Sequence, residues 1–208
     1  MNRLKPFRRL LPALLLGLSA TAGVLIVTNA VAIASNRAET QSPTELVAAF
    51  QRERTANDAL PTELAAEWSA VLGQAPADNS AGVPDYQQSR LAQPGASRIW
   101  LVPTTTRQLC RIRDDRSAGG CIDSSHLASD GIDWGLVDSD GPGPSPTVIW
   151  GLVSSTVSKI SALTPTGDDV AALDEGAFEI RATAFPKALL VAKTDGTTLR
   201  IEVPPPPR

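Results

Sequence analysis

The chain has 208 residues and a mass of 21.8 kDa, enough for one globular domain with extensions. Apolar residues make up 42% and charged residues 20%, which excludes a disordered chain. With His126, Cys110 and Cys121 as its only His and Cys residues, the chain cannot build a His- or Cys-rich metal site, and a pI of 5.2 speaks against a broad basic surface for nucleic acid.

The net charge of −3 is unevenly placed. Arg3, Lys5, Arg8 and Arg9 are basic, and the first acid is Glu39. Of 19 basic residues four lie in the first nine positions, leaving 15 against 22 acids and a formal −7 for the remainder. Residues 10–36 carry no charge, and the apolar stretch from Leu10 to Ala34 is 25 residues long. As a helix it would reach roughly 37 Å, enough for a hydrocarbon core of about 30 Å. Two readings stay open. One is a transmembrane signal anchor behind a cytoplasmic basic tail at 1–9. The other is a signal peptide cleaved near Ala34, where Ala30-Val31-Ala32 and Ala32-Ile33-Ala34 fit the small-x-small pattern. Both send the rest of the chain out of the cytoplasm, because the basic flank stays inside. The lipid bilayer is thus the first expected partner, through residues 10–34.

Residues 42–73 read as two short α-helices. Ser42-Pro43-Thr44-Glu45 spells a capping box with proline at the first helical position. Leu46, Val47 and Phe50 give a narrow apolar face. Asp58-Ala59-Leu60-Pro61 reads as a break, since proline disfavours helix in the residue before it. Leu64, Trp68, Val71 and Leu72 then form a one-sided stripe suited to packing on a domain. Residues 74–97, rich in Ala, Pro, Gly, Ser, Asp and Gln, read as a linker or loose loop.

From 98 to 203 the pattern becomes short β runs. They lie near 99–102, 108–113, 119–122, 132–137, 148–153, 157–163, 170–173, 178–182, 189–191 and 199–203. One helical turn is expected near 124–128. Asp195-Gly196 between two runs predicts a type I′ hairpin. Trp100, Trp134 and Trp150 each sit in an apolar run and suit core positions. The fold class is therefore a mainly β C-terminal domain, an antiparallel sandwich or open barrel, preceded by the apolar N-terminal helix and two short α-helices. The tail at 204–208 is Pro-rich and suits polyproline II.

The order of these features resembles a group of uncharacterised membrane-anchored or secreted actinobacterial proteins. The residues that carry the likeness are Asp58–Pro61, Trp100–Pro103, Cys110, Gly120-Cys121, Gly151–Val153 with Val157, and Asp195-Gly196. Thr104-Thr105-Thr106 departs from it, standing where a glycine-rich turn is expected. The resemblance implies an extracytoplasmic location and a β-rich domain, and carries no catalytic residues across.

Cys110 and Cys121 lie on adjacent expected strands, and outside the cytoplasm such a pair is expected to form a disulfide. A loop of this length gives roughly 3 kcal/mol in the chain-entropy account. His126 sits among Asp123, Ser124, Ser125, Ser129 and Asp130. Residues so close along one chain seldom present a triad, so the segment reads as a polar loop or helix cap. Asp138-Ser139-Asp140-Gly141 begins like a calcium loop, then loses the later oxygen ligands. Asp168-Asp169 and Asp174-Glu175 read as strand-end turns. No Walker loop or dinucleotide fingerprint occurs, so no cofactor, metal or catalytic set is expected. The functional expectation is a membrane-anchored extracytoplasmic β domain with a structural or interaction role at the cell envelope, with an envelope protein as a second partner and no nucleic acid. The alternative is a secreted or anchored hydrolase with a carboxylate-based site.

Overall fold

The structure is a computed structural model that describes residues 42–73, 82–106, 108–115, 118–137 and 147–205. The expected basic tail, the apolar span at 10–36 and the Asp138–Gly141 motif lie outside the described residues. Among the described residues no helix is long and apolar enough to cross a membrane.

The fold is mainly β. Among the described residues twelve strands form three antiparallel four-stranded sheets. The first sheet is a meander of β1 (Arg90–Ala92), β2 (Ile99–Pro103), β3 (Gln108–Arg113) and β4 (Gly119–Asp123). The second has the order β5 (Ile132–Val137), β6 (Thr147–Val153), β10 (Ala177–Ala182) and β9 (Ala172–Asp174). The third has the order β12 (Thr198–Glu202), β11 (Ala188–Lys193), β7 (Val157–Thr164) and β8 (Gly167–Val170). The helices are α1 (Pro43–Leu46), α2 (Thr62–Gly73) and α3 (Ser124–Asp130), with 3₁₀ turns at Ala48–Gln51, Ala56–Asp58 and Tyr86–Gln88.

Three buried cores define the layers. On β2 the side chains alternate: Ile99 and Leu101 face one core, Trp100 and Val102 another. Strand β6 does the same, with Trp150 and Leu152 toward the first sheet and Ile149 and Val153 toward the third. The period of two thus buries both faces of the first and second sheets. The outer face of the first sheet is covered by α2, whose Leu64 and Trp68 join Trp100, Cys110 and Ile112. Trp68 lies directly over Gly119, where any Cβ would collide with the indole ring. Val71, expected in the same stripe, is 56% exposed, so the packed face of α2 is narrower than the sequence suggests.

Several expectations change here. The capping box at Ser42 and Glu45 forms, yet α1 stops after one turn. Val47 takes an extended conformation and is fully buried against Gly176, where a Cβ would clash with it. Tertiary docking therefore overrides helical continuation. The stretch read as a linker contains β1, whose Arg90, Leu91 and Ala92 register with Leu101, Trp100 and Ile99. The run at 170–173 divides at Ala171. β8 stays in the third sheet and β9 returns to the second, so the chain changes layer there. At Asp195-Gly196 only the glycine has positive φ (86°). Gly196 N–H donates to the Lys193 carbonyl and Lys193 N–H to Thr197, which is a three-residue loop instead of type I′. The two-residue turn with positive φ at both centres is Glu175 (49°) and Gly176 (88°), between paired Asp174 and Ala177. Cys110 and Cys121 face each other across β3 and β4 and form the expected disulfide.

Candidate functional site

Alternation along β3 sends Cys110 and Ile112 to the α2 side and Leu109 toward the second sheet. Arg111 and Arg113 share the Leu109 face, so two guanidiniums enter the layer between sheets. Both meet Trp150, with guanidinium carbons 4.7 Å and 5.5 Å from an indole ring centre. Arg111 Nη1 donates to the Asp133 backbone carbonyl at 3.1 Å and pairs with the Asp133 carboxylate. Gly151 on β6 lets the β5 backbone come close, because a Cβ there would strike the Asp133 carbonyl oxygen. Burial pushes the Asp133 carboxyl above its ordinary range, against the opposing pull of Arg111 and His126. Burial likewise lowers the Arg111 guanidinium, partly offset by Asp133.

A second buried group ties the first sheet to β10. Glu179, 4% exposed, accepts from Ser97 Oγ and from Arg181 Nε at 2.9 Å. Arg113 Nη2 donates to Ser97 Oγ at 3.1 Å and to Asp115 at 2.7 Å, and lies 3.8 Å from Glu179. A third group centres on Asp58, 1% exposed. Its carboxylate accepts from Arg52 Nη1 at 2.8 Å and Nη2 at 2.7 Å. It also accepts from Thr55 N–H at 2.6 Å, Thr55 Oγ at 2.9 Å and Leu91 N–H at 2.8 Å. The Arg52 hydrogen bonds above all, helped by the Leu91 and Thr55 donors, hold this carboxyl well below the usual carboxylate range despite burial. Asp58 read only as part of a helix break in sequence; the Thr55-x-x-Asp58 capping pattern is the one local signal that marks it.

A fourth feature is open to solvent. A cleft of about 380 Å³ lies where α3 meets the β5 and β12 strands at the edges of the second and third sheets. Its polar lining is His126, Asp130, Asp133 and Arg200, beside the indole of Trp134. Ile132, Leu199 and Ile201 supply the apolar part. The side chains of His126, Asp130 and Trp134 make no hydrogen bond to any described residue, whereas Arg200 Nε donates to Glu202 at 2.7 Å.

No family model, curated protein or solved structure matches the chain. The site is therefore read from its own geometry. His126 is exposed on α3, and the Ser129 hydroxyl donates to its backbone carbonyl, away from the imidazole. Ser125 N–H is capped by Asp123. The Ser/His/Asp letters of this segment thus serve a helix cap and a cleft wall. Asp169 accepts from Thr183, Asp174 from the Gln93 N–H, and Glu175 pairs with Arg52. Among the described residues no three His, Cys, Asp or Glu side chains are grouped to hold a metal.

Proposed function

We propose that the chain is an extracytoplasmic β domain with a structural or interaction role at the cell envelope, tethered through the apolar segment at 10–34. The observation that carries this reading is the Cys110–Cys121 disulfide on directly opposed residues of β3 and β4. Disulfides persist in oxidising compartments, and the basic-then-apolar N-terminus supplies the route there. The buried carboxylates favour a scaffold over acid–base chemistry. Asp58, Asp133 and Glu179 are each committed to an arginine.

Surface proteolysis of intact cells producing the full chain, followed by fractionation and thiol labelling, tests the location. The expected result is a membrane-associated, externally cleaved chain without reactive thiols. A cytosolic chain with two reactive cysteines overturns it. An impermeant crosslinker applied to the same cells tests the interaction: repeated recovery of one envelope protein is expected, and consistent recovery of none overturns that part.

A further inference from the structure

We propose that the cleft between α3, β5 and β12 binds a neutral polyhydroxylated ligand of the size of a mono- or disaccharide. Its volume, about 380 Å³, lies at the low end of the range of small-molecule sites. The lining is divided by chemistry. Ile132, Leu199, Ile201 and Trp134 form an apolar wall suited to the C–H face of a sugar ring.

The polar lining is mixed in sign. Asp130 and Asp133 repel an anion, while Arg200, paired with Glu202, sets a guanidinium in the same lining that disfavours a cation. Hydroxyl groups avoid both conflicts, because each one donates to a carboxylate and accepts from an N–H. Three of the polar groups have open valences for this purpose. The Asp130 carboxylate accepts, the Trp134 indole N–H donates, and the His126 imidazole does either according to its tautomer. None of their side chains makes a hydrogen bond to another described residue. Asp133 is held in place by Arg111 and forms a fixed side of the cleft. The ligand class goes beyond the envelope role, and a titration of purified protein tests it without reference to location or partners.

His126 is the sole histidine of the chain and lines the cleft, so its imidazole NMR signals report occupancy without assignment of the other residues. The full chain, purified in detergent micelles with isotopically labelled histidine, is titrated with cellobiose, maltose and chitobiose. Lysine methyl ester and glutarate serve as charged controls. The expected result is a saturable shift with at least one disaccharide and none with either control at the same concentrations. Affinity should fall about tenfold or more in Asp130→Asn, the loss of one hydrogen bond to a charged acceptor. Trp134→Ala should abolish the shift. Asp130 is exposed and has no partner among the described residues, so Asp130→Asn decides the matter if Trp134→Ala fails to fold. Absence of a saturable shift with all three sugars overturns the proposal. So does a shift unchanged in Asp130→Asn, or saturable binding of either charged control.

Discussion

Asp58 and Asp133 each sit beside an arginine, and their environments push them in opposite directions. Asp58 is almost fully buried yet strongly ionised, because five hydrogen bonds converge on its two oxygens. Asp133 is 23% exposed yet its carboxyl is raised, because burial is opposed chiefly by one guanidinium that is itself poorly solvated. The difference teaches that pairing alone does not decide the state of a buried acid. The number of donors that replace lost water decides it. It also separates two roles. Asp58 fastens the N-terminal turns to β1, whereas Asp133 stands at an open cleft.

The largest expected effect comes from breaking the first pair. Asp58→Asn places an amide group against Arg52 and several backbone donors, and should cost about 3 kcal/mol in urea unfolding. Asp133→Asn should cost much less, about 1 kcal/mol, since the Arg111 hydrogen bond to the Asp133 backbone carbonyl is kept and one unfavourable burial of charge is removed. Equal losses for the two variants would show that hydrogen-bond number does not separate the pairs. The smallest and sharpest contrast lies in pH dependence. Asp58 has a folded pKa below its unfolded value of about 3.9, so its contribution is present above that value. The contribution is lost as pH falls toward the folded pKa. Asp133 has a raised folded pKa, so its contribution is present below about 3.9 and is lost as pH rises through the folded value. Unfolding midpoints measured across the acid range should therefore fall less steeply toward low pH in Asp58→Asn than in the parent chain. In Asp133→Asn the loss of stability on rising pH should diminish.

Much of the fold was legible because alternation is a local property. Each of the runs from Ile99 to Val203 contains a strand, and the sole helix among the described residues of that span falls at Ser124–Asp130, close to where one turn was expected. The staple between Cys110 and Cys121 was legible from two adjacent strands and a turn. The division at Ala171 was not, because Val170 and Leu173 look alike in sequence while their strands pair with β7 and β10 in different sheets. The hairpin at Asp195-Gly196 was legible as a hairpin and misread as a turn type. Asp195 keeps a negative φ while its carboxylate accepts from Thr197, a competing local bond that the dipeptide does not reveal. The candidate cleft was scarcely legible. His126 and Arg200 stand 74 positions apart, and only the stacking of the second and third sheets sets them around one space.

The sequence by itself determined the uneven charge, the long apolar stretch, the β character of the C-terminal half and the pairing of its two cysteines. These depend on neighbours within a few residues or on an adjacent strand. Tertiary structure decided which layer each strand joined, that Asp58 became the most buried carboxylate among the described residues, and that one histidine came to line a cleft. Those outcomes depend on desolvation and on contacts between distant segments. A buried charge acquires its state from donors that folding brings to it, and no local pattern records them.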